Sequence, residues 1–151
     1  MSYRMRMLLP VVGMFLVGCA VVAAVRGEGR EIKQPLPPSL DELAAVRLVE
    51  VKDAAGQTVL SGSFTMTTKK NGDLEGEAKL AVTGVDADAA GKAEVEISTE
   101  GGRAEKELEV EIRNLAPGAT FNLFVDGQQA AALTTDARGA AELEMSNRPA
   151  N

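Results

Sequence analysis

From about Val46 onward, hydrophobic and polar residues alternate with a period of two, and turn-forming residues interrupt the alternation at short intervals. Successive side chains of a strand point to opposite faces, so the pattern predicts an antiparallel all-β domain with one face buried and one solvated. Alternation is clearest where Ala93, Val95 and Ile97 interleave with Glu94 and Glu96. Leu108, Val110 and Ile112 do the same with Glu109 and Glu111, and Leu143 and Met145 with Glu142 and Glu144. Eight strands are predicted: Val46–Lys52, Thr58–Thr67, Leu74–Thr83, Lys92–Ser98, Lys106–Arg113, Thr120–Val125, Ala130–Thr135 and Ala140–Ser146.

The segments between them carry the chemistry of tight turns. Asn71-Gly72, Gly101-Gly102 and Asp126-Gly127 tolerate positive φ, and Pro117-Gly118 suits a sharp reversal. Neighbouring strands are therefore expected to pair as hairpins. The stretch Asp88 to Ser98 is echoed at Asp136 to Ser146, and Asp-Ala-Ala-Gly occurs again at Asp53 to Gly56, which reads as one turn-plus-strand unit reused.

The chain opens with a short basic stretch holding Arg4 and Arg6, followed by the uncharged run Met7 to Val25. Such a run is an export or membrane signal. Leu16-Val17-Gly18-Cys19 within it resembles the lipobox of bacterial lipoprotein export signals, which implies that Cys19 receives a lipid and becomes the mature N-terminus. The run is also long enough to cross a bilayer uncleaved with Arg4 and Arg6 on the inner side, and cleavage with release is a third reading. All three carry the domain across the membrane. Arg26 to Ala45 reads as a linker, since Gln34-Pro35-Leu36-Pro37-Pro38 is extended and poor in donors. Ser39-Leu40-Asp41-Glu42 has capping-box spacing and could start one short helix there. The expected organisation is a signal or anchor at 1–25, a linker at 26–45, a β domain at 46–147 and a tail at 148–151.

Within that frame the expected fold is an immunoglobulin-like antiparallel β-sandwich of about seven to eight strands, preceded by a hydrophobic helix and a tether. Asn114 to Gly127 followed by Thr134 to Met145 resembles the closing strands of secreted bacterial β-sandwich domains, including chordin-like ones.

Composition narrows the function. With 22 acidic against 16 basic residues and a net charge of −6, the surface repels phosphate backbones, so nucleic acid is not an expected partner. There is no histidine, which removes the usual general base and the commonest metal ligand, and Cys19 is the single cysteine. No enzyme activity, cofactor or metal site is expected. Asp86-Ala-Asp-Ala-Ala-Gly91 has the opening of a calcium loop, but Ala90 and Ile97 stand where ligands are needed, so a turn capped by Asp side chains is the better account. Glu94, Glu96, Glu107, Glu109, Glu111, Glu142 and Glu144 form an acidic outward stripe, read as a solvated face that could meet a basic partner or a cation. Phe124 shares the outward parity of Asn122 and could mark an interface. The expected protein is a membrane-anchored envelope component with a structural or protein-binding domain outside the cytoplasm; the alternative is an acidic domain that binds a ligand or cation.

Overall fold

The computed structural model describes residues 29–148. The expected N-terminal helix, the lipobox and Cys19 lie outside these residues. Within them the chain is all-β. Its strands are β1 (Arg30–Pro35), β2 (Leu48–Lys52), β3 (Thr58–Ser63), β4 (Thr65–Thr68), β5 (Leu74–Val82), β6 (Ala90–Glu100), β7 (Arg103–Arg113), β8 (Thr120–Val125), β9 (Gln128–Thr134) and β10 (Ala141–Ser146). Two single-turn 3-10 helices, Pro38–Leu40 and Leu43–Ala45, link β1 to β2.

The strands form one mixed sheet in the order β1-β10-β7-β6-β5-β3-β2-β8-β9, with β4 beside β5. The corner is made by β5: Leu74 to Leu80 pair with β6, while Ala81 and Val82 pair with β3. From there the sheet curls until β9 and β10, remote in strand order, touch. The alternation read in the sequence fills the enclosed space with Val51, Leu60, Val95, Leu108, Val110, Leu123, Leu143 and Met145, all fully buried. Phe121 is the single aromatic among the buried core residues described, so the interior is built of small aliphatic side chains.

Several expectations are corrected. Arg30 to Pro35, expected as part of the linker, is strand β1, and it pairs parallel with β10, Ile32 opposite Leu143. The sheet is therefore mixed, where an antiparallel one was expected. Not every neighbour is a hairpin partner: β7 crosses to β8, remote from it in strand order, and β10 returns to pair with β7. The strand expected over Thr58 to Thr67 is two, because the chain passes from β3 to β4 at Phe64. Gly62 lies so close to the Lys79 carbonyl that a Cβ there would overlap it, which lets β3 approach β5 at the bend. The expected helix is instead the pair of 3-10 turns. Leu40, Leu43 and Val46 are all buried, so the two short turns and the extended residue after them turn one apolar side of this segment inward. They cover the gap beside β9 and β6. Lys106 Nζ fastens this cover through Asp41, donating to its carboxylate at 2.7 Å and to its carbonyl.

Candidate functional site

The outward face of β5, β6, β7, β10 and β1 brings the predicted acidic stripe together in cross-strand rows. One row runs Glu77, Glu94, Glu109, Glu144 and then Lys33. The next, farther from the start of β1, runs Glu75, Glu96, Glu107 and Ser146. The third, nearer that start, runs Lys79, Lys92, Glu111, Glu142 and Glu31. The row members Glu75, Glu77 and Glu31 were not in the predicted stripe, because strand pairing, invisible in one strand's alternation, adds them.

Carboxylates set directly opposite one another lie about 5 Å apart at Cβ and destabilise a sheet by a few tenths to about 1 kcal/mol per pair. The response is visible in the middle of the face. Partial burial, followed by the charge of Glu144, raises the Glu107 carboxyl above its ordinary range. Partial burial also raises Glu109, reinforced by Glu142, Glu94 and Glu111 against the lowering effect of Lys92. At the margins cations intervene. Lys33 bridges Glu144 at 2.8 Å and Glu31 at 3.0 Å; Lys92 bridges Glu111 at 2.9 Å and Glu94 at 3.4 Å; Lys69 bridges Glu75 at 2.9 Å. Each of these lysines is pushed upward, chiefly by a hydrogen bond to its carboxylate. Among the described residues no group of three or more carboxylates is arranged to hold a metal ion.

A second feature was not anticipated. The loops β2–β3, β5–β6, β7–β8 and β9–β10 all gather at the end of the domain where β1 begins, here the near end. They are tied to one another through the backbone. Asn114 Nδ2 donates to the Asp88 carbonyl, Leu115 N–H to Gly139, and Gly118 N–H to Asp136. Thr135, the only buried polar side chain described, donates its hydroxyl to the Ala116 carbonyl at 2.7 Å and accepts from Ala119 N–H at 3.0 Å. Gly139 packs against Leu115 where no Cβ could fit.

Two hollows open at this end. One, of about 490 Å³, is mostly apolar and is bounded by Val59, Val85, Leu115 and Phe121 with Asp53 and Asp86 at its rim. The other, of about 790 Å³, lies beside Gly29 and is lined by Lys79, Lys92 and Arg113 together with Glu111 and Glu142. Val82 and Val85, 42% and 50% exposed, are the exposed large hydrophobics described, and both belong to the end of β5 or the loop after it. The signal for them was present: Val85 is an apolar residue between Gly84 and Asp86 in a turn segment, where no core position was predicted.

The remaining sequence candidates resolve as follows. Asp86 Oδ1 accepts the Asp88 N–H at 3.3 Å, and Ile97 packs against the core, so this stretch is a capped turn leading into β6. Phe124 is half-buried, with the Lys52 ammonium 4.6 Å above its ring centre, so a cation covers the face that parity left open. Among the described residues no helix is long and apolar enough to cross a membrane. Comparison with protein-family models, curated proteins and solved structures gave no match.

Proposed function

We propose that the chain is a bacterial envelope protein, held to a membrane by its N-terminal segment and carrying a non-catalytic structural or protein-binding β domain outside the cytoplasm. The observation that carries this reading is the uncharged run Met7 to Val25, with Leu16-Val17-Gly18-Cys19 inside it, placed ahead of an all-β domain. Cys19 is the proposed lipid attachment site. In finer detail the domain is proposed to be an immunoglobulin-like sandwich, with β3-β2-β8-β9 as one layer and β1-β10-β7-β6-β5 as the other; the chordin-like resemblance of the closing strands supports it. The lack of histidine and of a second cysteine supports a role in binding over one in catalysis.

Purification from native membranes in detergent, followed by intact mass measurement, tests the anchor. A mass for cleavage before Cys19 plus acyl chains establishes the lipoprotein. A full-length mass establishes the uncleaved helix, and a cleaved, unmodified protein in the aqueous fraction ends the proposal.

The second reading, an acidic domain that binds a ligand or cation, draws on the row Glu77, Glu94, Glu109 and Glu144. Calcium titrated into the full chain in detergent discriminates it: absence of both heat and a shift in melting temperature removes the ion version.

A further inference from the structure

Strand β1 ends the sheet: it pairs with β10, and among the described residues no strand lies along its other side. Arg30 N–H donates to the Ala140 carbonyl and Leu36 N–H to Ser146, so the backbone groups of Arg30, Ile32, Gln34 and Leu36 face β10. Those of Glu31 and Lys33 therefore face away from the sheet, and Pro35 adds a carbonyl without a donor. The other edges are less open. Strand β9 curls toward β10 and carries a register shift against β8, and β4 is only four residues long.

Charges on an edge strand ordinarily discourage pairing. Here they exclude all but one arrangement with a second copy of the same strand. In an antiparallel pair, directly opposed residues exchange both backbone bonds. With Glu31 opposite Glu31 of the second copy, or Lys33 opposite its Lys33, like charges confront each other. With Ile32 opposite Ile32 of the second copy, Glu31 falls opposite Lys33 in both halves, and these are the residues whose backbone groups are turned outward. Side-chain charge and backbone bonding thus choose the same register. Pro35 then falls opposite Gly29, outside the central bonds. The outward acidic rows gain as well: Glu31 stands opposite Glu142 and Lys33 opposite Glu144 in one copy. Across the junction the order becomes Glu142, Glu31, Lys33, Glu144, which sets a cation between carboxylates. On the inner side Ile32, only partly buried in one copy, meets its equivalent.

We infer that two copies of the chain associate edge to edge through β1, antiparallel about a two-fold axis at Ile32, joining their sheets into one. The same patch serves both copies, so assembly closes at a dimer. Gly29 of each copy lies three residues from the axis, about 10 Å away, and both N-terminal segments lead off close to the dimer centre. Six residues a side bury less than a standard interface. The pairing therefore rests on the proposed anchoring for the concentration of copies in one membrane.

Disulfide formation in full-length Ile32→Cys, reconstituted into phosphatidylcholine vesicles and oxidised with diamide, tests the register. Opposed Cα atoms of a non-hydrogen-bonded antiparallel pair lie about 4.5 Å apart, within the span of a disulfide. The wild-type chain, whose single cysteine is Cys19, reports any bond made there. Ile32→Cys is expected to give dimer in excess of wild type on non-reducing gels. Adding Glu31→Lys makes both cross-copy pairs repulsive and is expected to slow the crosslink about tenfold, while improving the contact with Glu142 that keeps β1 on β10. Adding Lys33→Glu instead should do the same. An equal mixture of these two variants restores attraction at both pairs, and a dimer of mixed mass is expected to return. Circular dichroism melting of each variant reports that the fold is kept. Ile32→Cys that forms no more dimer than wild type, or a mixture that crosslinks no faster than its components, overturns the pairing. Should Lys33→Glu loosen β1 by facing Glu144, unchanged crosslinking in the Glu31→Lys form alone overturns it. Flotation, measured first, decides the anchoring separately: if the chain does not float, the anchoring fails and the same crosslinks are read, by the same criteria, in concentrated solution.

Discussion

Thr135 shows what a single hydroxyl holds together at the near end. It is buried, and its oxygen serves both the Ala116 carbonyl and the Ala119 N–H, the two ends of the turn that carries the chain from β7 to β8. Replacement by valine keeps the shape and removes the donor and the acceptor, leaving two backbone groups unpaired where water has little access. Thr135→Val is expected to destabilise by about 1–3 kcal/mol, measured as a lower midpoint in urea with an unchanged slope. A loss below a few tenths would mean that water reaches the turn. Thr135→Ser, which keeps the hydroxyl, should recover most of the difference. Nothing in the sequence distinguished Thr135 from Thr134 beside it. Alternation gave both a place in a strand, and only the arrival of the β7–β8 loop, nineteen residues away at Ala116, assigns one of them a structural role.

At the scale of elements, what was legible is what depends on local pattern. Strand β8 falls at Thr120–Val125 as alternation placed it, and β2, β5, β7 and β10 differ only at their ends. What was not legible depends on partners. Arg30 to Pro35 contains three charges, one proline and one large apolar residue, too little to signal a strand; it becomes one because β10 offers a free edge and Ile32 and Leu36 reach the core. A chain starting at Pro38 should therefore fare worse than one starting at Gly29. Losing the partly buried Ile32 and Leu36 removes on the order of 2 kcal/mol and exposes β10 as an unpaired edge. The expected outcome is a melting temperature lower by roughly 10 °C and concentration-dependent association in light scattering; equal melting of the two chains would show β1 to be dispensable. The acidic rows were half legible for the same reason: the sequence placed each glutamate outward but not opposite another. Glu109 stands between Glu94 and Glu144. Glu109→Lys converts two repulsive pairs into attractive ones, so a gain of about 0.5–1 kcal/mol is expected at low salt, shrinking as salt screens the pairs. An unchanged or lower melting temperature would mean that the pleat holds these side chains apart.

For the whole molecule, the acidic face and the turns titrate in opposite senses, and the order of their pH windows fixes the stability profile. Glu107 and Glu109 are raised above 4.5 in the folded domain by burial and by neighbouring carboxylates, so the fold takes up protons more readily than the unfolded chain. Stability therefore rises as pH falls from above their folded values toward 4.5 and gains nothing further from them below it. Asp136 is lowered from 3.8 by the N–H groups of Ala140 and Arg138; its contribution is complete above 3.8 and is lost as pH falls through the lower folded value. Lys33, Lys69 and Lys92 are raised above 10.5, so what they add is present below that value and lost as pH rises through the folded ones. Together these place the maximum on the acid side of neutrality, for a chain with a net charge of −6 at pH 7. Thermal melts from pH 3 to 8 should show the midpoint climbing on acidification from neutral before it falls. The combined variant Glu107→Gln and Glu109→Gln should flatten the climb while leaving the acid fall, to which Asp136 contributes. Sodium chloride should raise the midpoint at pH 7 more than at pH 4.5, because it screens a repulsion that protonation has already reduced. A midpoint that is flat between pH 7 and 4.5, or unmoved by salt at pH 7, would show that the lysine bridges at the edges of the face already neutralise it.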